Sequence, residues 1–214
     1  MRLDEWLGRM VEGAAGLGVA LGEEEARLLV ALMGEVLLWN RRLNLTGLKS
    51  EEEVVEKLFL DSLACWLGGW VKAGARMVDV GAGAGFPGLV LAITGRRRGV
   101  AEVVLVEAAR KKAAFLEQVV GVLGIEGVRV VGERAESLGR VGEYRERFDV
   151  GTARAVAPLG VAAEYVLPLV RVGGVFLAMK GRRAAEEVRE AREAVRALGG
   201  EVEEVRWYRL PWSG

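Results

Sequence analysis

The residues best suited to chemistry form one glycine-rich stretch behind a short apolar segment. Residues 76–88 read RMVDVGAGAGFPG, with glycines at Gly81, Gly83 and Gly85. Glycine lets the backbone turn sharply and approach a ligand, because no Cβ is in the way. Pro87 suits the first turn of a helix, whose free N–H groups would point at whatever lies over the glycines. The stretch therefore predicts a buried strand, a ligand-binding turn and a helix start, rather than an ordinary glycine-rich turn.

Glu107 ends the next predicted strand, about twenty residues after the glycines. A carboxylate there can accept hydrogen bonds from both hydroxyls of a ribose, so we expect an adenosine-type ligand. The glycines within residues 83–88 spell G-x-G-x-x-G, which keeps NAD as an alternative. However, the predicted strand ends at Val80, so Gly81, Gly83 and Gly85 are the glycines that occupy the turn. The acidic Asp79 just before them suits a cationic sulfonium better than a pyrophosphate. We therefore favour S-adenosylmethionine over NAD.

Polar groups also follow the later predicted strands. Arg134-Ala135-Glu136 comes after the third strand, where it could border an adenine. Arg154 comes after the fourth strand, at the usual place for catalytic groups in such folds, although a buried structural ion pair is the alternative. The Asn/Asp-Pro-Pro-aromatic motif of amino-group methyltransferases is absent there.

The composition excludes several kinds of chemistry. The 214 residues contain no histidine, which rules out histidine triads, histidine metal ligands and imidazole acid–base catalysis. The single cysteine, Cys65, excludes an internal disulfide and fits a reducing cytosol. Methylation at a pyrimidine C5 needs a cysteine nucleophile, but Cys65 has apolar neighbours and is interpreted as core. What remains is an acceptor that needs no deprotonation, such as a purine ring nitrogen.

Charge and hydropathy limit the partners. Thirty basic residues balance thirty acidic ones, so the net charge gives no nucleic-acid signal. Basic clusters at 41–42, 110–112 and 180–183 could still hold phosphates, whereas 96–98 is interpreted as a solvated face. No apolar run reaches the roughly 18 residues that a membrane span needs, and no signal peptide is visible. We expect a cytoplasmic, monomeric protein that binds neither a membrane nor a metal.

The hydrophobic pattern supplies the elements that must position these residues. Residues 1–70 look helical, with Ser50 as N-cap and Glu53 completing a capping box. From about residue 75, strands alternate with helices. Strands are expected at 76–80, 103–106, 128–131, 148–151, 174–179 and 202–210. This alternation predicts an α/β fold with a parallel, doubly wound sheet and a ligand at the carboxyl ends of its strands.

Taken together, the motifs resemble one family, the bacterial small-subunit (16S) rRNA guanine-N7 methyltransferases, also called glucose-inhibited division protein B. The match runs in order from about residue 36 to residue 181 and is specific as a set. The matching segments are 39–46 (WNRRLNLT), 59–63 (FLDSL), 79–88 (DVGAGAGFPG), 110–116 (RKKAAFL), 134–136 (RAE), 154–159 (RAVAPL) and 179–181 (MKG).

The resemblance implies a class I, Rossmann-like methyltransferase domain at 71–214 and a helical N-terminal extension at 1–70, packed as one unit. It implies methyl transfer from S-adenosyl-L-methionine to N7 of one guanine in the decoding region of 16S rRNA, on the free RNA or in the small ribosomal subunit. Catalytic roles fall to Arg154 and Lys180, which could steady the guanine O6 or a phosphate. The expected cofactor contacts, with Gly83 and Glu107 added from the turn and ribose arguments, are Gly81, Gly83, Phe86, Glu107, Ala135, Glu136 and Arg154.

Two departures from the family keep other functions open. Leu58 stands where the family usually has a histidine, and the family normally continues past residue 214 into a last antiparallel strand. Without that strand, 202–210 would lack its neighbour, so we expect truncation, a rearranged sheet or pairing with a partner chain. The alternatives are a methyltransferase for a small molecule or a protein, and an inactive cofactor-binding module.

Overall fold

The computed structural model describes residues 3–213, and it begins with a helical region. Helix α1 spans Leu3–Gly16 and α2 spans Glu23–Leu43. A third helical stretch is irregular: α3 (Glu51–Val54) continues as a π-helical segment (Val55–Leu60), α4 (Asp61–Leu63) and a 3₁₀ turn (Ala64–Trp66).

The start of α3 agrees with its sequence signal in part. The Ser50 hydroxyl accepts a hydrogen bond from the Glu53 N–H at 3.1 Å, as expected of an N-cap. The Glu53 carboxylate accepts from the Lys49 N–H at 3.3 Å, one residue before the position that a capping box uses.

Strands and helices alternate after this region. The strands are β1 (Arg76–Val80), β2 (Glu102–Val106), β3 (Val128–Val131), β4 (Phe148–Arg154) and β5 (Val170–Met179). The helices between and after them are α5 (Gly88–Gly95), α6 (Arg110–Leu123), α7 (Ala135–Leu138), α8 (Leu159–Val166) and α9 (Ala184–Ala197).

The five strands form one parallel sheet in the order β3-β2-β1-β4-β5. Val78 of β1 pairs with Val104 of β2 on one side and Gly151 of β4 on the other, and both valines are fully buried. Such valine-rich strands suit a sheet that is covered on both faces. The predicted parallel, doubly wound sheet is confirmed, although β4 and β5 are longer than expected.

The largest apolar cluster covers one face of the sheet and extends into the helical region. It joins Leu29 and Phe59 of that region to Leu91 of α5 and Phe115 of α6. Trp39 of α2 also stacks at a tilt on Phe115, with ring centroids 5.9 Å apart. Burial of these aromatic surfaces fixes the helical region against the sheet.

The prediction of a strand at 202–210 is wrong. Residues 201–210 adopt no helix or strand, and the segment 201–213 runs against the helical region instead. Arg206 Nη1 donates to the Leu67 carbonyl at 2.5 Å. The N–H groups of Trp212 and Ser213 both donate to Oε1 of the buried Glu56, at 2.7 and 2.6 Å. Hydrogen bonds to the helical region thus replace those to a neighbouring strand.

Candidate cofactor and substrate site

All the predicted site residues lie at one edge of the sheet. Because the five strands are parallel, their carboxyl ends meet there. The residues that follow or close these strands are Gly81, Gly83 and Phe86 after β1, Glu107 after β2, Ala135 and Glu136 after β3, Arg154 in β4, and Lys180 after β5. An open parallel sheet binds its ligands at this edge.

The glycine turn after β1 has the geometry that its sequence predicts. Gly81, Gly83 and Gly85 have φ angles of +71°, +58° and +91°, which L side chains rarely adopt. The Gly81 N–H donates to the Val106 carbonyl at 2.9 Å, which holds the turn on the end of β2. A Cβ built on Gly83 would meet nothing closer than the Gly81 carbonyl oxygen at 3.7 Å. The Gly83 side of the turn is therefore open to a ligand.

Glu107 is bonded to the glycine turn. Its Oε2 accepts a hydrogen bond from the Gly83 N–H at 2.9 Å, and its Oε1 accepts from the Ala109 N–H at 2.8 Å. The residue is only 8% exposed. Each carboxylate oxygen has a second lone pair, so the same group can brace the turn and accept from a ligand hydroxyl.

The Asp79 carboxylate is buried and bonds to other residues of the protein, rather than facing the ligand side of the turn. The residue is 1% exposed, and its two oxygens accept from the Gly88 N–H and the Thr152 hydroxyl, each at 2.9 Å. Burial raises the pKa of Asp79 to about 6, and the bonds from Thr152 and Gly88 oppose that shift. The carboxylate thus ties β1 to β4 and to the start of α5. One of the helix N–H groups expected to face a ligand is taken by Asp79.

Phe86 and the β3 loop contribute differently. The Phe86 ring is buried and stands edge-on to Phe59, with centroids 4.8 Å apart. Its side chain therefore fixes the turn to the helical region. Ala135 is buried at the start of α7, whereas Glu136 beside it is exposed.

Arg154 forms the ion pair that the sequence left open as the alternative to a catalytic role. Its Nη1 donates to the Lys57 carbonyl at 3.0 Å and lies 3.4 Å from Asp61 Oδ2. Its guanidinium carbon lies 5.4 Å from the centre of the Phe86 ring, within the range of a cation–π contact. The next residue, Ala155, has a φ of +54°, a strained conformation that is typical of functional loops.

Lys180 is held by its neighbours. Its Nζ donates to the Ala157 carbonyl at 2.6 Å and lies 2.7 Å from Glu187 Oε2, which also accepts from the Leu159 N–H at 2.9 Å. The hydrogen bond from Lys180 is the main cause that lowers the pKa of Glu187. Lys180 thus connects the end of β5, the loop after β4 and helix α9.

An open cavity of about 750 Å³ lies between Arg154 and Lys180. Asp61 and Tyr208 are among the lining residues that were not predicted as site residues. The Tyr208 hydroxyl donates to Asp61 Oδ1 at 2.8 Å. Asp61 lies in the family motif at 59–63, which could have indicated it as a site residue. Tyr208 lies in the segment wrongly predicted as a strand.

The basic clusters differ in their surroundings. Arg96 Nη2 lies 2.6 Å from Glu126 Oε2. Arg97 Nη2 lies 3.3 Å from Glu25 Oε2, and Arg98 Nη1 lies 3.4 Å from Oε1 of the same glutamate. These three arginines are ion-paired, which disfavours phosphate binding there. Residues 110–112 begin α6 directly after the carboxyl end of β2, at the edge of the sheet that carries the site.

Two negative findings concern residues 3–213 alone. Within that range, no group of three or more His, Cys, Asp or Glu side chains could hold a metal ion. No helix in the described part of the chain is long and apolar enough to cross a membrane.

Comparison with known proteins gives a consistent result. A family model described as rRNA small subunit methyltransferase G matches residues 25–210. Ribosomal RNA small subunit methyltransferase G from Caldanaerobacter subterraneus subsp. tengcongensis is 46% identical over 204 residues, which are 95% of this chain and 84% of that protein. The protein of the same name from Roseiflexus castenholzii is 46% identical over 189 residues, 88% of this chain and 79% of its own. Among solved structures, the ribosomal protein L11 methylase from Lactobacillus delbrueckii subsp. bulgaricus has a TM-score of 0.54 and 15% identity, over 72% of this chain and 74% of its own, which indicates a common fold.

Proposed function

The chain belongs to the rRNA small subunit methyltransferase G family, and we propose that it methylates N7 of one guanine in the decoding region of 16S ribosomal RNA. The methyl donor in this proposal is S-adenosyl-L-methionine. The observation that carries the proposal is the extent of the match: residues 25–210 include the glycine turn, every strand end of the site and the cavity.

The residues of the turn fit this cofactor. The open side of Gly83 leaves room for a ligand against the backbone, and Glu107 has lone pairs available for the ribose hydroxyls. Ala135 and Glu136 lie at the same edge, where they would border the adenine. When bound, S-adenosylmethionine supplies a methyl group on a positively charged sulfur.

The chemistry that the chain lacks supports the proposed acceptor atom. Burial, with Asp79 and Asp61 nearby, raises the pKa of the Cys65 thiol to about 12, so a thiolate is not available at neutral pH. This disfavours the cysteine-dependent methylation of a pyrimidine carbon. Guanine N7 already carries a free lone pair and needs no general base. A chain without histidine can therefore promote the reaction mainly by aligning the base with the donor.

Arg154 is the residue that we propose for holding the guanine. Among residues 3–213, no group accepts a hydrogen bond from its Nε or Nη2, while Nη1 is bonded to Lys57 and Asp61. Arginine commonly donates to guanine O6, which is the contact that we propose here. A contact with N7 itself would occupy the lone pair that must react. Lys180 supports this arrangement by holding the loop at Ala157.

The proposal is tested by mapped methylation of 16S rRNA from cells that lack the modification. After reaction with labelled S-adenosylmethionine, the RNA is cleaved at N7-methylguanine and the labelled position is located. We expect one guanine in the decoding region. Label at other positions, or only in small molecules, would support the alternative function, a methyltransferase for a small molecule or a protein. Calorimetric titration with S-adenosylhomocysteine and with NAD separately tests the choice of cofactor.

The inactive binding module predicts cofactor binding without methyl transfer in the same assay. It was suggested by Leu58, which the structure places against the largest apolar cluster as a partly buried side chain. A leucine there contributes packing in place of the polar group that the family usually has. We further propose a cytoplasmic location and a monomeric state, the latter testable by sedimentation.

A further inference from the structure

Three residues that are distant in the sequence meet beside the cavity: Asp61, Arg154 and Tyr208. Asp61 begins α4, Arg154 ends β4, and Tyr208 lies in the segment 201–213. All three line the cavity. The side chains of Asp61 and Arg154 are 22% and 16% exposed, so the pair is shielded from most of the solvent.

The Asp61 carboxylate is divided between its two partners. Oδ2 faces Arg154 Nη1 at 3.4 Å, and Oδ1 accepts from the Tyr208 hydroxyl at 2.8 Å. The Lys57 carbonyl accepts from the same Nη1 at 3.0 Å. The guanidinium is therefore hydrogen-bonded through one nitrogen, Nη1, besides its contact with the Phe86 ring, and its Nε and Nη2 have no hydrogen-bond acceptor within residues 3–213.

We propose that Asp61 is the positioning residue of the methyl transfer, and that Tyr208 in turn fixes Asp61. By holding Nη1, the carboxylate presents the other side of Arg154 to a planar base with a carbonyl acceptor, which is the guanine of the proposed function on which this inference rests. An unrestrained arginine would adopt many rotamers and could donate to N7, which would block the reaction. Asp61 thus acts through Arg154 and does not touch the substrate.

The segment that carries Tyr208 is anchored on both sides of it. Arg206 is bonded to the Leu67 carbonyl, and the N–H groups of Trp212 and Ser213 are bonded to Glu56. The Trp212 ring also stacks on the Arg9 guanidinium, 4.5 Å from the ring centre. Removal of the Tyr208 hydroxyl therefore leaves the segment in place and changes only the support of Asp61.

The test is a double-mutant cycle on the turnover number for 16S rRNA, measured at saturating cofactor and RNA. Asp61→Asn alone should lower kcat roughly 10- to 100-fold, as for a lost charged hydrogen bond. In an Arg154→Ala background, the same change should lower kcat no more than about twofold, because Asp61 then has no arginine to position. Additive losses in the two backgrounds would overturn the inference, as would an unchanged kcat in Asp61→Asn.

Tyr208→Phe provides a second, milder variant if Asp61→Asn does not fold. It should lower kcat roughly 3- to 10-fold, for the loss of one hydrogen bond, and should also lose its effect in the Arg154→Ala background. An equal effect of Tyr208→Phe in both backgrounds would count against the proposed chain of contacts.

Asp149→Asn is the matched control, because Asp149 lies near the opposite end of the same strand, β4. Its Oδ1 accepts from Arg171 Nε at 2.7 Å and its Oδ2 from the Arg76 N–H at 2.8 Å. This variant should lower the melting temperature and change kcat less than about twofold. If Asp149→Asn lowered kcat as much as Asp61→Asn does, the effect would be one of stability. That result would overturn this inference and leave the proposed function untouched. Absence of rRNA methylation by the wild-type chain would instead refute the proposed function, and this inference with it.

Discussion

Replacement of Glu107 by alanine tests whether the carboxylate after β2 holds the cofactor. The carboxylate accepts from the N–H groups of Gly83 and Ala109 and has lone pairs left for a ribose. Loss of a hydrogen bond to a charged group costs about 1.5–3 kcal/mol. The Kd for S-adenosylhomocysteine should therefore rise roughly 10- to 150-fold, which is the same free energy expressed as a ratio.

The assay is calorimetric titration with S-adenosylhomocysteine, and Glu102→Ala is the control. Glu102 begins β2, and Glu107 follows the other end of that strand, so the control lies at the opposite edge of the sheet. There the Glu102 Oε2 accepts from Arg76 Nη2 at 3.0 Å. That variant should lose some stability while its Kd for the cofactor changes less than about twofold. Equal changes of Kd in both variants would mean that the sheet, and not the ribose contact, controls affinity.

A second ligand separates the ribose contact from support of the turn. The 2′-deoxy analogue of S-adenosylhomocysteine should bind the wild-type chain more weakly than the parent compound does. If Glu107 bonds the ribose, this difference should shrink in Glu107→Ala, because the variant has no carboxylate to recognise the hydroxyl. An unchanged Kd in the variant, or an undiminished difference between the two ligands, would refute the reasoning.

Three further predictions concern the supporting residues. Burial raises the pKa of Asp79 from 3.8 to about 6, so the folded chain binds this proton more tightly than the unfolded chain does, and the resulting stability is lost as the pH rises from about 4 to about 6. Asp79→Asn should remove this part of the pH dependence, on the order of 3 kcal/mol, in urea unfolding at several pH values; an unchanged pH profile would contradict the assignment. Gly81→Ala would place a Cβ 2.6 Å from Val156 Cγ2 at a φ of +71°. It should lower the free energy of unfolding, measured by urea titration, by about 1–3 kcal/mol. Wild-type stability of this variant would contradict the prediction. Lys180→Met should release Glu187 and the loop after β4, lowering kcat on rRNA roughly tenfold with little change in cofactor Kd; wild-type kcat would argue against this support.

The local structure of the site could be predicted because it depends on neighbouring residues. Gly81, Gly83 and Gly85 are the residues that tolerate positive φ, and their spacing after an apolar run implies a turn at a strand end. The apolar runs around Val78 and Val104 imply buried parallel strands. Once the sheet is parallel, the residues after each strand must meet at one edge.

The prediction at 202–210 was wrong because strand formation depends on a neighbouring strand that a local pattern cannot supply. The segment contains β-branched and aromatic residues that favour a strand, yet Arg206 and Trp212 find their partners on the helical region. The interior position of Asp79 has a related cause, since its acceptance of bonds from Gly88 and Thr152 depends on how β4 lies beside β1.

The sequence by itself therefore determined the fold class, the glycine turn and the set of strand-end residues, because each depends on short-range conformational preference and periodicity. Only the tertiary structure decided which charges are free and which are paired. Arg154 meets Asp61 across 93 residues, and Asp61 meets Tyr208 across 147. Such contacts form only when the packed helices and sheet bring remote segments together, and they pair one nitrogen of the guanidinium, Nη1.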